Sequence, residues 1–366
     1  MNYKQIYNRL LIFDGSFCLH RVMNTSYWNM LTSTGIRTGG VFGVLRTILK
    51  EVSNYNYYPI VVFDGGLSSR RLELFPNYKH TEDKKEKQLL LENLETKSEE
   101  DLLDEEIKRE YATQREILKQ LLPYFNIPVI SYEGWEGDDL IYILSKISND
   151  SIVISDDKDL LQLIREDSSG RCRVKRAMLD EFWDINKLQE SYKDVIYYIA
   201  EKAIVGDQSD NIPSACYGVG AKTASSLYDF YKFVKENNIN YPTTEEDLIE
   251  ICKKHNLTKK KAFINFDEYQ FMVNLMLTDL KLVDEDLIRN DLRMLYIIRD
   301  KIDFFFKNQF DENLQKQNIV TILDYLEIKS FDFNQLFNLI KQVKDVIYNI
   351  ETNLDENRKI HKGLLF

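Results

Sequence analysis

The chain has little cysteine, little histidine, no excess of positive charge and no long apolar run. Its four cysteines (Cys18, Cys172, Cys216, Cys252) form no Cys-x-x-Cys pair. That argues against a zinc ribbon or a disulfide framework and fits a reducing, cytosolic compartment. No segment approaches the ~20 apolar residues of a membrane span, and the opening MNYKQIYNRLLIFDG has no long apolar core, so neither a membrane association nor a signal peptide is expected. There is no internal repeat, Pro-rich linker or low-complexity tract. With 59 Asp+Glu against 48 Lys+Arg the net charge is −11. Taken at face value, this sign speaks against a nucleic-acid partner, because phosphate binding usually shows as net positive charge. What is present is ordinary for a globular protein: 44% hydrophobic and 29% charged residues over 366 positions. Wholesale disorder is excluded, and the length allows a large core in two or three domains.

Short β-branched runs punctuate the first two hundred residues: LLIFD closing on Asp14, IVVFD at 60–64, VISY at 129–132 and SIVIS at 151–155. Helical periodicity lies between them, at 40–52, 113–122 and 137–147. The alternation predicts an α/β fold, a parallel sheet flanked by helices. One connection, 75–115, is too long and too charged for an ordinary crossover and reads as a helical excursion. From about Tyr192 the chain reads as mainly helical, with a Gly-rich turn, YGVGAKTA, at 217–224 and an amphipathic helix near 334–352. The expected domains are 1–191, 192–310 and a helical extension at 311–366.

The acids fall where strands end. Asp14 and Asp64 close the first two runs, and Asp157 and Asp159 follow the fourth. Glu136, Asp138 and Asp139 open the helix after the third, and Asp207 and Asp210 lie one helical turn apart. In a parallel sheet the strand C-termini share one edge, where ligands bind. A single acid there is more often a cap than a ligand; acids at four such ends together point to a cation. Nine carboxylates in one crevice repel unless cations neutralise them, and oxygen donors without clustered His or Cys favour Mg²⁺ or Mn²⁺. Two such ions stabilise the attacking and leaving oxygens of phosphodiester cleavage. Asp156, beside Asp157, is expected to point elsewhere.

Six blocks in order, from residue 10 to about 230, resemble the structure-specific 5′ nucleases. These include the bacteriophage 5′-exonucleases, the 5′-nuclease domain of bacterial DNA polymerase I and the flap endonucleases. The blocks are LLIFDGSFCLHR with Asp14 and Arg21, TGGVFGVLRTIL with Thr38 and Gly39, and VVFDGGLSSRRLELFPNYK with Asp64, Arg70, Arg71, Tyr78 and Lys79. They continue with EGWEGDDLIYIL, where Gly137 stands for the family's Ala, ISDDKDLLQLI, and AIVGDQSDNIP. YGVGAKTA follows, similar to the family's helix–three-turn–helix loop with Gly218, Gly220, Lys222 and Thr223. Independently of the resemblance, its glycines admit a phosphate to the backbone and the next helix offers free N–H groups.

The resemblance implies a PIN-like nuclease domain with 75–115 as a helical arch, and metal-dependent 5′-3′ exonuclease and flap-endonuclease activity. Asp14, Asp64, Glu136 and Asp138 would serve one Mg²⁺; Asp138, Asp139, Asp157, Asp159, Asp207 and Asp210 would serve the second, with Mn²⁺ able to replace either and K⁺ at the Gly-rich loop. Lys79, Asp138 and Asp157 would carry catalysis, Lys79 by polarising the scissile phosphate. Arg21, Thr38, Gly39, Arg70, Arg71, Tyr78, Lys84, Lys85, Gly218, Gly220, Lys222 and Thr223 would contact nucleic acid. The implied partners are flapped, branched, nicked or RNA-primed DNA, and a sliding clamp or single-strand-binding protein in primer removal. The resemblance further implies a stand-alone monomer in the cytoplasm, of a bacterial host if phage-encoded. Two departures stand out: SACY between Pro213 and Gly218 is one residue longer than the family spacer, and Glu82 replaces an Arg.

Four further segments carry open readings. Tyr27 and Trp28 stack on a base or pack in the core. RCRVKR (171–176) is a DNA-facing strand or a charge-protected edge, KKHNLTKKK (253–261) a phosphate patch or a solvated helix end, and the closing GLLF a clamp-docking tail or a packed terminus. The rival functions are a non-catalytic branched-DNA-binding factor and a PIN-type ribonuclease. The opening charge also changes meaning. Residues 92–110 carry a net −6, and without them and the nine proposed ligands the remainder of the chain is +4.

Overall fold

The computed structural model describes residues 7–79, 99–258, 261–283, 293–308 and 310–346, with side chains 99–104, 293, 306 and 307 excepted. Its strands are β1 (Tyr7–Asp14), β2 (Tyr58–Val62), β3 (Val129–Ile130), β4 (Ser148–Ile154), β5 (Arg165–Asp167), β6 (Gly170–Arg176) and β7 (Glu181–Trp183). They form one sheet in the order β3-β2-β1-β4-β6-β5, with β7 on β6. β1 to β4 and β6 are parallel neighbours, whereas β5 and β7 run antiparallel to β6. The four apolar runs are thus the parallel strands. Leu10, Leu11 and Ile12 of central β1 are fully buried, as a near-continuous apolar strand covered on both faces must be. Helices Gly15–Met23, Gly39–Asn54, Glu99–Leu121 and Gly137–Lys146 supply the connections. Because β1, β2 and β4 are parallel, Asp14, Asp64 and Asp157 emerge along one sheet edge.

The chain divides into two compact units, each described by itself. The first holds the described residues of Met1–Leu67, Lys97–Ile185 and Val283–Phe366, so it includes the sheet and helices Arg293–Lys307, Glu312–Tyr325 and 333–346. Those late helices are tied in by polar bonds across the sequence. Tyr7 Oη donates to Asp303 Oδ1 at 2.9 Å, and Gln315 Nε2 donates to Asn126 Oδ1 at 2.8 Å within the core. Gln114, fully buried on Glu99–Leu121, accepts from Val41 N at 3.0 Å at the start of Gly39–Asn54. RCRVKR lies inside the sheet, between β4 and the antiparallel pair, so it is not an edge. Its charges are matched internally: Arg171 and Arg173 pair with Asp150 at 2.6 and 2.9 Å, and Lys175 pairs with buried Glu51 at 2.9 Å.

The second unit, described over 68–79 and 186–282, contains no strand among its described residues. Helices Val195–Val205, Ala221–Glu236, Glu245–His255 and Glu268–Thr278 surround a core of Ala203, Leu227, Phe230, Leu248 and Phe271, and Ser69–Leu74 packs with Tyr78, Ile212 and Leu277 in a smaller cluster. Buried Asn274 binds the unit together, its Nδ2 donating to Ala203 O and Pro213 O at 2.8 and 2.7 Å. Glu245–His255 opens on a Thr244/Asp247 capping box and closes on Lys253, Lys254 and His255, cations that complement the helix dipole.

The Lys175–Glu51 pair offers a test of the packing. Lys175→Met leaves an acid buried with reduced compensation and is expected to cost about 3 kcal/mol in urea denaturation. The double variant Glu51→Met/Lys175→Met is expected to recover most of that loss; an equally unstable double variant would show that the loss comes from the missing ion pair itself and not from an unpaired buried acid.

Candidate active site

Strand ends and helix starts alternate around the carboxylates, and each acid is oriented by a neighbouring backbone N–H or serine. Asp14 caps Gly15–Met23: Oδ1 accepts from Phe17 N at 2.9 Å and Oδ2 from Ser155 Oγ at 2.8 Å. Ser155 Oγ also accepts from Asp157 N at 3.1 Å, and Asp157 Oδ1 accepts from Asp159 N at 2.8 Å. One serine therefore joins the end of β1 to the turn after β4. Asp64 N donates to Ser16 Oγ at 3.1 Å, and its Oδ1 accepts from Gly137 N at 2.7 Å, which joins β2 to the Gly137–Lys146 helix. Asp138 Oδ1 accepts from Asp139 N at 2.9 Å. Glu136 and Asp139 are buried, Asp14, Asp138 and Asp159 half-buried, and Asp64 and Asp157 exposed. Asp156 points elsewhere, accepting from Met178 N and pairing with Arg176. Gly137 lies close to Asp64: a Cβ there would be 2.9 Å from Asp64 Oδ1, so the carboxylate would have to shift.

The electrostatics show how crowded this edge is. Burial pushes the Asp14 carboxyl up to about 7; the bonds from Phe17 and Ser155 oppose that, and the charges of Asp64 and Asp157 add to it. Seven oxygen-donor side chains on one edge, without His or Cys among them, fit a hard divalent ion. Two residues at this edge carry no sequence signal. Tyr111 on Glu99–Leu121 stacks on His20 with ring centroids 4.4 Å apart. Burial pushes its hydroxyl up to about 12, against a hydrogen bond with Ser16. No periodicity pairs residue 111 with residue 20; only the fold does.

In the second unit the GDQSDNIP turn closes on itself, Asp207 and Ile212 exchanging backbone bonds of 2.9 and 2.8 Å. Gly206 sits at φ +80, where a Cβ would lie 2.6 Å from Ile212 O. Burial raises the Asp207 carboxyl, but Ser209 and Lys202 outweigh it and hold the group below the usual carboxylate range. Lys79 is fixed to the same turn. Its N–H donates to Asp210 O at 2.8 Å, its backbone adopts φ 56, and its Nζ lies 5.2 Å from the Tyr78 ring centre. Tyr78 Oη in turn donates to Asp210 Oδ2 at 3.3 Å.

Four residues expected at a nucleic-acid interface are buried in this structure. Tyr78 and Arg71 are each 2% exposed, and Arg71 Nε donates to Leu277 O at 2.9 Å, so both brace the Lys79 turn. Thr38 and Gly39 are buried where the helix start closes on residues 27–28; a Cβ on Gly39 would lie 1.6 Å from Tyr27 O. Trp28 is likewise buried, with Tyr27 half-buried. Arg70 Nη1 donates to Met276 O at 2.5 Å, and Arg21 Nη2 donates to Thr47 Oγ1 at 2.8 Å. Lys84, Lys85, Glu82 and GLLF lie outside the described residues.

Gly218, Gly220 and Lys222 are exposed and Thr223 half-buried. Gly220 caps the Ala221–Glu236 helix without a side-chain bond, and a Cβ there would meet nothing within 4 Å. Packing therefore does not require this glycine, whereas the close approach of a ligand to the helix N-terminus would. Beside it stands Tyr217, 94% exposed, a residue of the lengthened spacer that sequence reading passed over.

Comparison with known proteins follows the same lines. Residues 9–193 match the family model described as the 5′-3′ exonuclease, N-terminal resolvase-like domain. The 5′-3′ exonuclease of Aquifex aeolicus is 26% identical over 80% of this chain and 96% of its own length. The DNA polymerase I of Caldicellulosiruptor bescii is 26% identical over 89% of this chain, which spans only 35% of that longer protein. A solved structure of the T5 5′-exonuclease with divalent zinc shares the fold, with a TM-score of 0.58 at 23% identity over 81% of this chain and 98% of that one.

The raised Asp14 carboxyl has a thermodynamic consequence. Its folded value of about 7 lies above its unfolded value near 4, so the stability it contributes is full below about pH 4 and is lost as pH rises through 7. In EDTA, Asp14→Asn is therefore expected to gain melting temperature relative to the unsubstituted protein between pH 5 and pH 7.5. A divalent ion should abolish that gain. A pH-independent difference would contradict the crowding.

Proposed function

Because the chain belongs to the 5′-3′ exonuclease family with the N-terminal resolvase-like domain, we propose that it is a metal-dependent nuclease hydrolysing phosphodiesters of 5′-flapped, nicked or RNA-primed duplex DNA. The observation that carries this reading is the Asp14 carboxyl, pushed to about 7 by burial and by Asp64 and Asp157 at the same sheet edge. A divalent ion bound there supplies charge neutralisation and lowers the pKa of a coordinated water.

The protein's own residues do the rest. Asp14, Asp64, Glu136 and Asp138 are assigned to a first Mg²⁺, and Asp138, Asp139, Asp157, Asp159, Asp207 and Asp210 to a second. The Ser16 and Ser155 hydroxyls keep strand ends and turns in register under that charge. Lys79, held on its turn by Asp210 and beside Tyr78, opposes the charge that develops on the scissile phosphate. Gly218, Gly220, Lys222 and Thr223 receive duplex phosphates as the loop of a helix–three-turn–helix element, with K⁺ on its carbonyls. Primer removal during replication, as a monomer and beside a sliding clamp or single-strand-binding protein, is the role we assign.

A 5′-labelled flap duplex tests the reading. With Mg²⁺ the protein is expected to release labelled product, and with EDTA none. Asp157→Asn should lose at least ~10²-fold in rate and Lys79→Ala about 10²-fold in kcat with duplex binding retained. Metal-independent product, or equal product from Asp157→Asn, would overturn it.

A further inference from the structure

A groove of about 780 Å³ lies in the first unit between the Gly39–Asn54 helix and the 333–346 helix, apart from the carboxylate edge. Its two walls differ in chemistry. Arg46 and Lys50, one helical turn apart, line one side; Gln335, Asn338 and Gln342, spaced along one face, line the other. All five are exposed. The floor between them is aromatic, with Tyr27 and Phe42 centroids 5.1 Å apart and Phe42 and Phe331 4.9 Å apart. Arg46 is already oriented: Nη1 donates to Tyr27 Oη at 2.7 Å, and the guanidinium carbon lies 5.7 Å from the ring centre.

Charge balance identifies the ligand class. Glu51, the acid among the lining residues, is taken up by Lys175 at 2.9 Å. Among the described residues no carboxylate pairs with Arg46, while Lys50 lies 3.6 Å from Asp180 and 3.9 Å from Glu51 with its side chain 59% exposed. The groove therefore keeps positive charge on one wall, amides that both donate and accept on the other, and stacking faces beneath. Anionic backbone, hydrogen-bonding base edges and flat π-surfaces occur together in an unpaired nucleic-acid strand. The volume falls within the ~300–1,000 Å³ of small-ligand pockets, which suits a short stretch of nucleotides.

We propose that this groove binds a few unpaired nucleotides, phosphates along Arg46 and Lys50, bases on Tyr27 and Phe331, base edges against Gln335 and Asn338. Tyr27 then acts in a pair with Arg46, which holds its hydroxyl and leaves the ring at the groove floor. The site itself stands on the geometry above; it rests on the nuclease reading only for where the strand comes from, the cleaved strand or its complement.

The test uses the full chain in EDTA with fluorescein-labelled hexathymidylate, followed by photo-crosslinking with a 4-thiothymidine analogue. Arg46→Gln/Lys50→Gln is expected to weaken binding about tenfold with a reduced salt dependence, and Asn338→Glu to weaken it from the opposite wall. Crosslinked peptides should come from 25–29, 39–54 or 330–343. Unchanged affinity in both variants, or crosslinks solely elsewhere, would overturn the site. Flap duplexes with the unpaired nucleotides on the cleaved strand or on its complement then identify the source, as the one whose binding the double variant weakens. If neither is weakened, the site does not serve the substrate and the proposal fails in that part. Oligonucleotide binding that depends on Arg46 and Lys50 in a protein without cleavage activity would sink the nuclease reading and keep the groove.

Discussion

Repulsion among the carboxylates at one sheet edge is the constraint on which the rest of the first unit turns. A parallel sheet brings the ends of β1, β2 and β4 to the same side, and each end carries an acid. The fold does not relieve this by moving the acids apart. It buries Asp14, which together with the charges of Asp64 and Asp157 lifts its carboxyl to about 7, and holds the edge together with neutral donors. Ser155 bridges Asp14 to the Asp157 turn, and Ser16 receives the Asp64 N–H. Hydroxyls suit this place because they add hydrogen bonds without cancelling the charge that an ion needs. An arginine in either position would stabilise the empty protein and compete with the metal.

The second unit handles opposite charges by a different device. Lys79 and Asp210 are joined through backbone and ring: the Lys79 N–H meets Asp210 O, and Tyr78 lies against the ammonium while donating to the Asp210 carboxylate. The buried Arg71 and Tyr78 carry the turn, which explains why residues of a polar, DNA-like composition prove inaccessible. Lys79 adopts φ 56, a conformation uncommon for a residue with a side chain. The backbone bond to Asp210 offsets that cost and sets the direction in which the lysine leaves the turn.

Much of this was legible in the residues. The strand runs, the acids at their ends and the Gly-rich turn follow from local periodicity and local chemistry, and they are where those signals put them. What was not legible depends on partners far away in the chain. RCRVKR looks like an exposed basic strand until Asp150 and Glu51 are seen beside it. Thr38 and Gly39 look like a DNA-facing loop until Tyr27 O is found within a Cβ radius of Gly39. Tyr111 gains a position at the edge only because the Glu99–Leu121 helix crosses His20. In each case burial is decided by tertiary packing, which residue type and spacing do not encode.

The same reasoning limits what net charge can say. Subtracting the proposed ligands and residues 92–110 leaves the remainder of the chain at +4. That figure is blind to pairing, since a matched cation and anion cancel in the sum and are both withdrawn from any ligand. Arg171, Arg173 and Lys175 are spent on Asp150 and Glu51 inside the first unit, and Lys202 on Asp207 inside the second. The cations open to a ligand are therefore fewer than the composition suggests; Arg46 in the groove and Lys222 on the Gly-rich loop are among them. An acidic protein can then attract a polyanion at separate places, because within a Debye length of ~8–10 Å a phosphate responds to the nearest charges and not to the total.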